Sequence, residues 1–132
     1  MTTIRRWNPD GIAAPASRYA HAVLVEGAAR WLHLSGQIGT LPDGRVAEGL
    51  AAQLDACFAN VAAGLAAAGM TKADLVKLTV YLTEATPEAV ATYRTCRDAW
   101  VGDGPLPAAT LLIVAGLAGP APLAEVDAVA AA

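Results

Sequence analysis

Apolar positions along the chain repeat with two different periods. Between Gly49 and Ala68, Leu50, Leu54, Cys57, Phe58, Val61 and Leu65 follow one another at spacings of four, three, one, three and four. That spacing places them on one face of a helix, and Gly69 stands where such a helix stops. Thr86-Pro87-Glu88 predicts a second helix start, with an N-cap, proline at the first helical position and an acid in the first turn. This helix runs to about Trp100 and ends before Gly102. Elsewhere the period is two. Val76, Leu78, Val80 and Leu82 alternate with Lys77, Thr79, Tyr81 and Thr83, as in a strand with one buried face. Ile4–Trp7, Tyr19–Val25, Arg30–Ser35, Ala109–Val114 and Leu123–Val129 read as further strands, bounded by Gly, Pro and Asp turns. Glu26-Gly27-Ala28 suits a hairpin loop. In that register Tyr19 faces Ser35 and His21 faces His33. Thr71-Lys72-Ala73-Asp74 reads as a capping box on a single turn. The order is three strands, helix, strand, helix, two strands. That is an α+β class with two helices on one face of a sheet.

Composition leaves the other sheet face to be explained. The chain has 132 residues and reads as a single domain over 1–132. Apolar residues make up 55%, 32 of them alanine, while aromatics are 5%. Only 16% of residues are charged, against about 25% in an ordinary soluble domain. So few charges mean either that much alanine is exposed or that part of the surface lies against another subunit, and the second is the expectation. Net charge is -3 with pI near 5.2, and no basic run exceeds Arg5-Arg6, which argues against a nucleic-acid partner. Cys57 and Cys96 fall inside the predicted helices and read as small core residues of a reducing compartment. No uninterrupted run of 18 apolar residues and no signal-peptide pattern occurs, so the expectation is a cytoplasmic protein with no membrane partner.

Candidate chemistry is sparse. Glu125 and Asp127 are two apart on the last predicted strand and share a face. From spacing alone the pair reads first as two solvated acids on an edge strand; partly buried among Val and Ala, such a carboxylate can instead act as base or acid. Tyr19 and Ser35-Gly36 sit at strand ends, where glycine lets a ligand approach the backbone. Arg94 and Arg97 lie beside Tyr93 on the second helix and read as a solvated face. His21 and His33 make half a zinc site at most, so no metal site is expected. No phosphate loop or nucleophile elbow is present.

Five segments in order carry a family resemblance. Pro15-Ala16-Ser17-Arg18-Tyr19-Ala20-His21-Ala22-Val23 is similar to an A-P-x-x-x-Y-S-Q-A-V opening. Leu34-Ser35-Gly36-Gln37-Ile38-Gly39 looks like an S-G-Q-I stretch. Gln53, Asn60 and Ala67-Ala68-Gly69 follow a first-helix pattern. Asp74–Leu82 is similar to D-V-V-K-x-T-V-F-L, and Glu125–Ala130 to E-I-E-A-I-A. Together they resemble the RidA/YjgF family, also called endoribonuclease L-PSP-like proteins. The resemblance implies a chorismate-mutase-like fold and a homotrimer whose sheets form a barrel, with small-molecule clefts at the subunit interfaces. It also implies cofactor-free hydrolysis of reactive enamines and imines, such as 2-aminoacrylate, to a 2-keto acid and ammonia. Glu125 then corresponds to the water-positioning glutamate and Tyr19 to a pocket tyrosine, with Ser35 and Gly36 retained.

The chain departs from the family at one motif. Pro107-Ala108-Ala109-Thr110 stands where P-A-R-S is expected, so Ala109 occupies the position of the substrate-gripping arginine. Leu111 follows where a small residue is usual, and Tyr93 replaces an asparagine. Alanine cannot make a bidentate clamp on a carboxylate. Either the ligand is less anionic and more apolar, or Arg18 or Arg97 supplies the charge. Three functions stay open: a deaminase-type hydrolase with an altered substrate, a non-catalytic small-molecule binder, and, least favoured by the acidic pI, an endoribonuclease.

Overall fold

The computed structural model describes residues 1–132. In chain order the elements are β1 (Thr3–Trp7), β2 (Ala22–Glu26), β3 (Trp31–Ile38), α1 (Leu50–Ala67), a single 3-10 turn (Lys72–Asp74), β4 (Leu75–Leu82), α2 (Pro87–Val101), β5 (Ala108–Ile113) and β6 (Ala124–Ala131). Four strands form a mixed sheet in the order β3-β6-β4-β5. β6 runs antiparallel to both β3 and β4, whereas β4 and β5 are parallel. A parallel pair needs a long crossover, and α2 supplies it. The result is the α+β class read from the sequence, with both helices on one face of the sheet.

Alternation along β4 and β6 divides that sheet into two faces. Leu78, Val80 and Leu82, with Ala124, Val126, Ala128 and Ala130, are buried under the helices. Lys77, Thr79, Tyr81, Glu125, Asp127 and Val129 occupy the opposite face and are only partly covered. The alanines of β6 make a low floor on which the large side chains of α1, Leu54, Phe58, Val61 and Leu65, pack closely. Phe58 stacks on Trp100 of α2 with ring centroids 4.8 Å apart. α1 has the length and mean hydropathy, 1.4, of a membrane-crossing helix, but its large apolar side chains form the core of this fold. Cys57 and Cys96 are both buried and free. Helix ends follow the sequence signals. Gly49 and Gly69 flank α1 with φ of 84° and 68°, and the Thr86 side chain accepts from Ala89 N at 3.1 Å. Thr71 and Asp74 form the expected capping box.

The predicted hairpin between the second and third strands is not formed. β2 pairs with β1 instead, Thr3 opposite Glu26 and Trp7 opposite Ala22, as a separate ribbon. β3 pairs with β6. The loop after Gly27 (φ 71°) is drawn to the end of β6, where Ala29 N and Arg30 N both donate to Ala132 O. Tyr19 and His21 precede β2, and Ala20 N bonds Pro107 O at 3.0 Å, beside the start of β5. β3 and β5 are opposite edges of the sheet. Tyr19 therefore does not face Ser35, nor His21 His33.

Candidate functional site

The sequence-predicted residues collect in two places. The first is a cavity of about 220 Å³ between α2, β5 and the segment before β2, lined by Tyr19, Tyr93, Arg94, Arg97, Ala109 and Leu111, with Ala16 and Ser17. Ala109 and Leu111 point from β5 toward the helices and pack on the core. Thr110, between them, points the other way and accepts from Lys77 Nζ at 2.6 Å on the open face.

Arg97 is the unexpected member. It is only 3% exposed, where the charge pattern of the helix predicts a solvated face. Its charge is compensated locally: Nε and Nη2 donate to Asp98 Oδ1 at 3.0 and 2.9 Å, and Nη2 donates also to Ser17 Oγ at 2.7 Å. The guanidinium carbon lies 5.2 Å from the centre of the Tyr93 ring. Burial pushes the Tyr93 phenol above its ordinary range, with the neighbouring Arg97 charge opposing the rise. Arg18 is committed elsewhere. Its Nη2 caps the Gly102 carbonyl at 2.6 Å and its Nη1 is 3.7 Å from Asp98. Asp98 and Ser17 thus fix Arg97. Neither was singled out from the sequence, because an Arg-Asp pair on a helix looks like ordinary surface charge until its burial is known. Tyr19 closes the other wall, its ring edge-on to His21 at 5.3 Å, and His21 Nε2 is 2.7 Å from Ala13 O.

The second place is the β3–β6 pair on the open face. Glu125 stands opposite Ile38 and opposite Tyr81 in the two ladders. The β3–β6 register shifts between Leu34 and Gln37, so Ser35-Gly36 forms a bulge. The Glu125 carboxylate lies directly over Gly36: a Cβ there would be 2.2 Å from Oε1. The Tyr81 hydroxyl bonds Asp127 Oδ2 at 3.0 Å. That bond and the nearby carboxylate charges push the Tyr81 phenol upward. No three His, Cys, Asp or Glu side chains gather in a metal-holding group.

Within one chain the two places stay apart. Glu125 faces away from the helices, Ala109 and Leu111 face toward them, and β4 lies between β6 and β5. Strand spacing alone separates β6 from β5 by about 10 Å. Tyr19, Tyr93, Arg97, Ala109 and Leu111 are brought together; Ser35, Gly36 and Glu125 form a separate group.

Comparison with known proteins places this arrangement. The endoribonuclease L-PSP family model matches residues 11–132. A Rid family protein of unknown function from Yersinia pestis, YyfB, superposes with a TM-score of 0.89 at 29% identity, covering 98% of each chain. RidA from an Antarctic Psychrobacter superposes with a TM-score of 0.71 at 28% identity, covering 97% of this chain and 99% of that one. A RutC family protein of Aquifex aeolicus is 41% identical over 71 residues, which is 53% of this chain and about half, 54%, of that relative. With the family's fold and all but ten residues of the chain under its model, this protein belongs to the endoribonuclease L-PSP family, also called RidA/YjgF.

Proposed function

We propose that the protein is a cofactor-free deaminase-type hydrolase for an enamine or imine other than the usual 2-imino acid, acting in the cytoplasm as a homotrimer with a cleft at each subunit interface. The observation that carries the reading is Glu125, whose carboxylate is seated over Gly36 on a sheet face that the chain itself leaves open. A carboxylate so placed can hold a water and take its proton as the oxygen adds to the C=N carbon. Glu125 returns that proton to the nitrogen, the hydroxyl proton of the carbinolamine passes to the departing amine as the C–N bond breaks, ammonia leaves, and a carbonyl compound remains. The reading calls for assembly. In one chain Glu125 and the Tyr19–Arg97 cavity lie on opposite sheet faces, and a neighbouring copy is what brings such halves into one cleft. The experiment generates uncharged imines in place with a flavin-dependent amine oxidase and follows ammonia release. Acceleration by the wild type and its loss in Glu125→Gln support the hydrolase.

Ala109 favours a second reading, a small-molecule binder that kept the cleft without turnover. It gains if no imine is accelerated while ligands still bind. RNA cleavage has the least support, given a net charge of -3 and no basic run longer than Arg5-Arg6.

A further inference from the structure

The Arg97 cavity presents an unusual set of donors. A guanidinium has five N–H groups. Asp98 takes one from Nε and one from Nη2, and Ser17 takes the other from Nη2. The two on Nη1 are outside these bonds. The Tyr93 ring packs against the guanidinium, its centre 5.2 Å from the guanidinium carbon, and its hydroxyl interacts with Arg97 and can accept one of them, which leaves one N–H and the phenolic hydrogen itself. Both residues are 3% exposed. The Nε–Nη2 edge, with which an arginine grips a carboxylate side-on, is occupied by Asp98, and the Nη2 needed for an end-on grip is spent on Asp98 and Ser17. The charge is likewise answered by Asp98. Around these donors the walls are the Tyr19 and Tyr93 rings, Leu111 and Ala109. Arg94 also lines the cavity, but it is exposed and its charge is screened by solvent.

We infer that this cavity binds a small uncharged molecule through one carbonyl-type oxygen, held by Arg97 Nη1 and the Tyr93 hydroxyl, with an apolar body against Leu111 and Ala109. A neutral acceptor suits two donors in a partly apolar pocket. A carboxylate brings a full charge whose hydration a single remaining N–H and a phenol do not replace. The volume accommodates a compact ligand, the space of roughly seven waters. Asp98 and Ser17 are positioning residues: they hold the guanidinium so that Nη1 is the group left over. The inference rests on the proposed function only in taking this cavity as part of the working site. It concerns binding, so it stands or falls independently of turnover and of Glu125.

The test uses matched neutral and anionic probes, benzamide against benzoate and isobutyramide against isobutyrate, titrated at pH 7 by NMR on the labelled full-length protein. The expected result is that in at least one pair the amide binds at least tenfold more tightly than the acid, shifting resonances of Ser17, Tyr93 and Leu111. Arg97→Lys is expected to weaken amide binding tenfold or more and Tyr93→Phe severalfold. Tyr93→Phe keeps the ring and serves if the Arg97 variant does not fold. The inference is overturned if the acids bind as tightly as the amides, if neither member of either pair binds, or if Tyr93→Phe and a folded Arg97→Lys both leave amide affinity unchanged.

Discussion

At the scale of single residues, two positions show how little space the fold leaves. Gly36 has no positive φ, so alanine is acceptable to its backbone. Its added Cβ would nevertheless overlap the Glu125 carboxylate, 2.2 Å from Oε1 and 2.7 Å from Cδ. The obstructing atoms end a flexible side chain that can swing away. Gly36→Ala is therefore expected to change the free energy of urea unfolding by less than about 1 kcal/mol, while turnover falls by about tenfold or more as Glu125 leaves its seat. The buried thiols give a pH prediction. Burial pushes Cys57 up to about 12 and Cys96 up to about 11, from 9.0. Their folded values exceed the unfolded ones, so stability from the neutral thiols is intact below pH 9 and is lost as pH rises from 9 through 11 and 12. Urea midpoints between pH 8 and 11 should fall, and Cys57→Ala should flatten that slope. Arg97 shows what a sequence hides at this scale. Arg94, Arg97 and Asp98 look alike as charges on a helix, and only packing against Ser17 and Tyr93 buries one of them.

At the scale of elements, helices and the two central strands were legible because each has a one-sided pattern. α1 announces itself by its apolar stripe and flanking glycines, and β6 by alternating Ala and Val against Glu and Asp. Strand partners were not legible. Glu26-Gly27-Ala28 is a good local turn, but the β3 edge is claimed by β6, a strand about a hundred residues away in sequence, and β2 turns back on β1. Local turn chemistry says that a chain reverses, not which strand it meets afterwards. The junction of β3 with α1 is equally a matter of contact. At Gly39 a Cβ would lie 2.6 Å from both Cα and Cβ of Gln53. Gln53 is buried and ties the entry to β6, its Nε2 donating to Ala121 O at 3.1 Å and its Oε1 accepting from Leu123 N at 2.7 Å. Backbone cannot move aside as Glu125 can. Gly39→Ala should therefore cost about 1–3 kcal/mol in urea unfolding, more than Gly36→Ala, and equal costs would contradict the close packing of these elements.

At the scale of the whole molecule, the low charge and the open sheet face belong together. Trp31, Leu112 and Ile113 are exposed large apolar side chains, at 51%, 38% and 43%, on the sheet's edge strands β3 and β5. A trimer with sheets turned toward one another would cover part of this surface. Light scattering at micromolar concentration should give three times 13.4 kDa; a stable monomer would remove the interfacial cleft. The missing arginine at 109 predicts little acceleration of 2-aminoacrylate hydrolysis, since a lost charge-assisted contact costs about 1.5–3 kcal/mol, roughly ten- to a hundredfold in rate. The central claim, that Glu125 does chemistry and not only structure, is tested most directly by ammonia release from oxidase-generated imines, comparing wild type with Glu125→Gln. The account predicts a variant with the assembly of the wild type and turnover lower by about a hundredfold or more. Full turnover in the variant, or loss of its assembly, would contradict it.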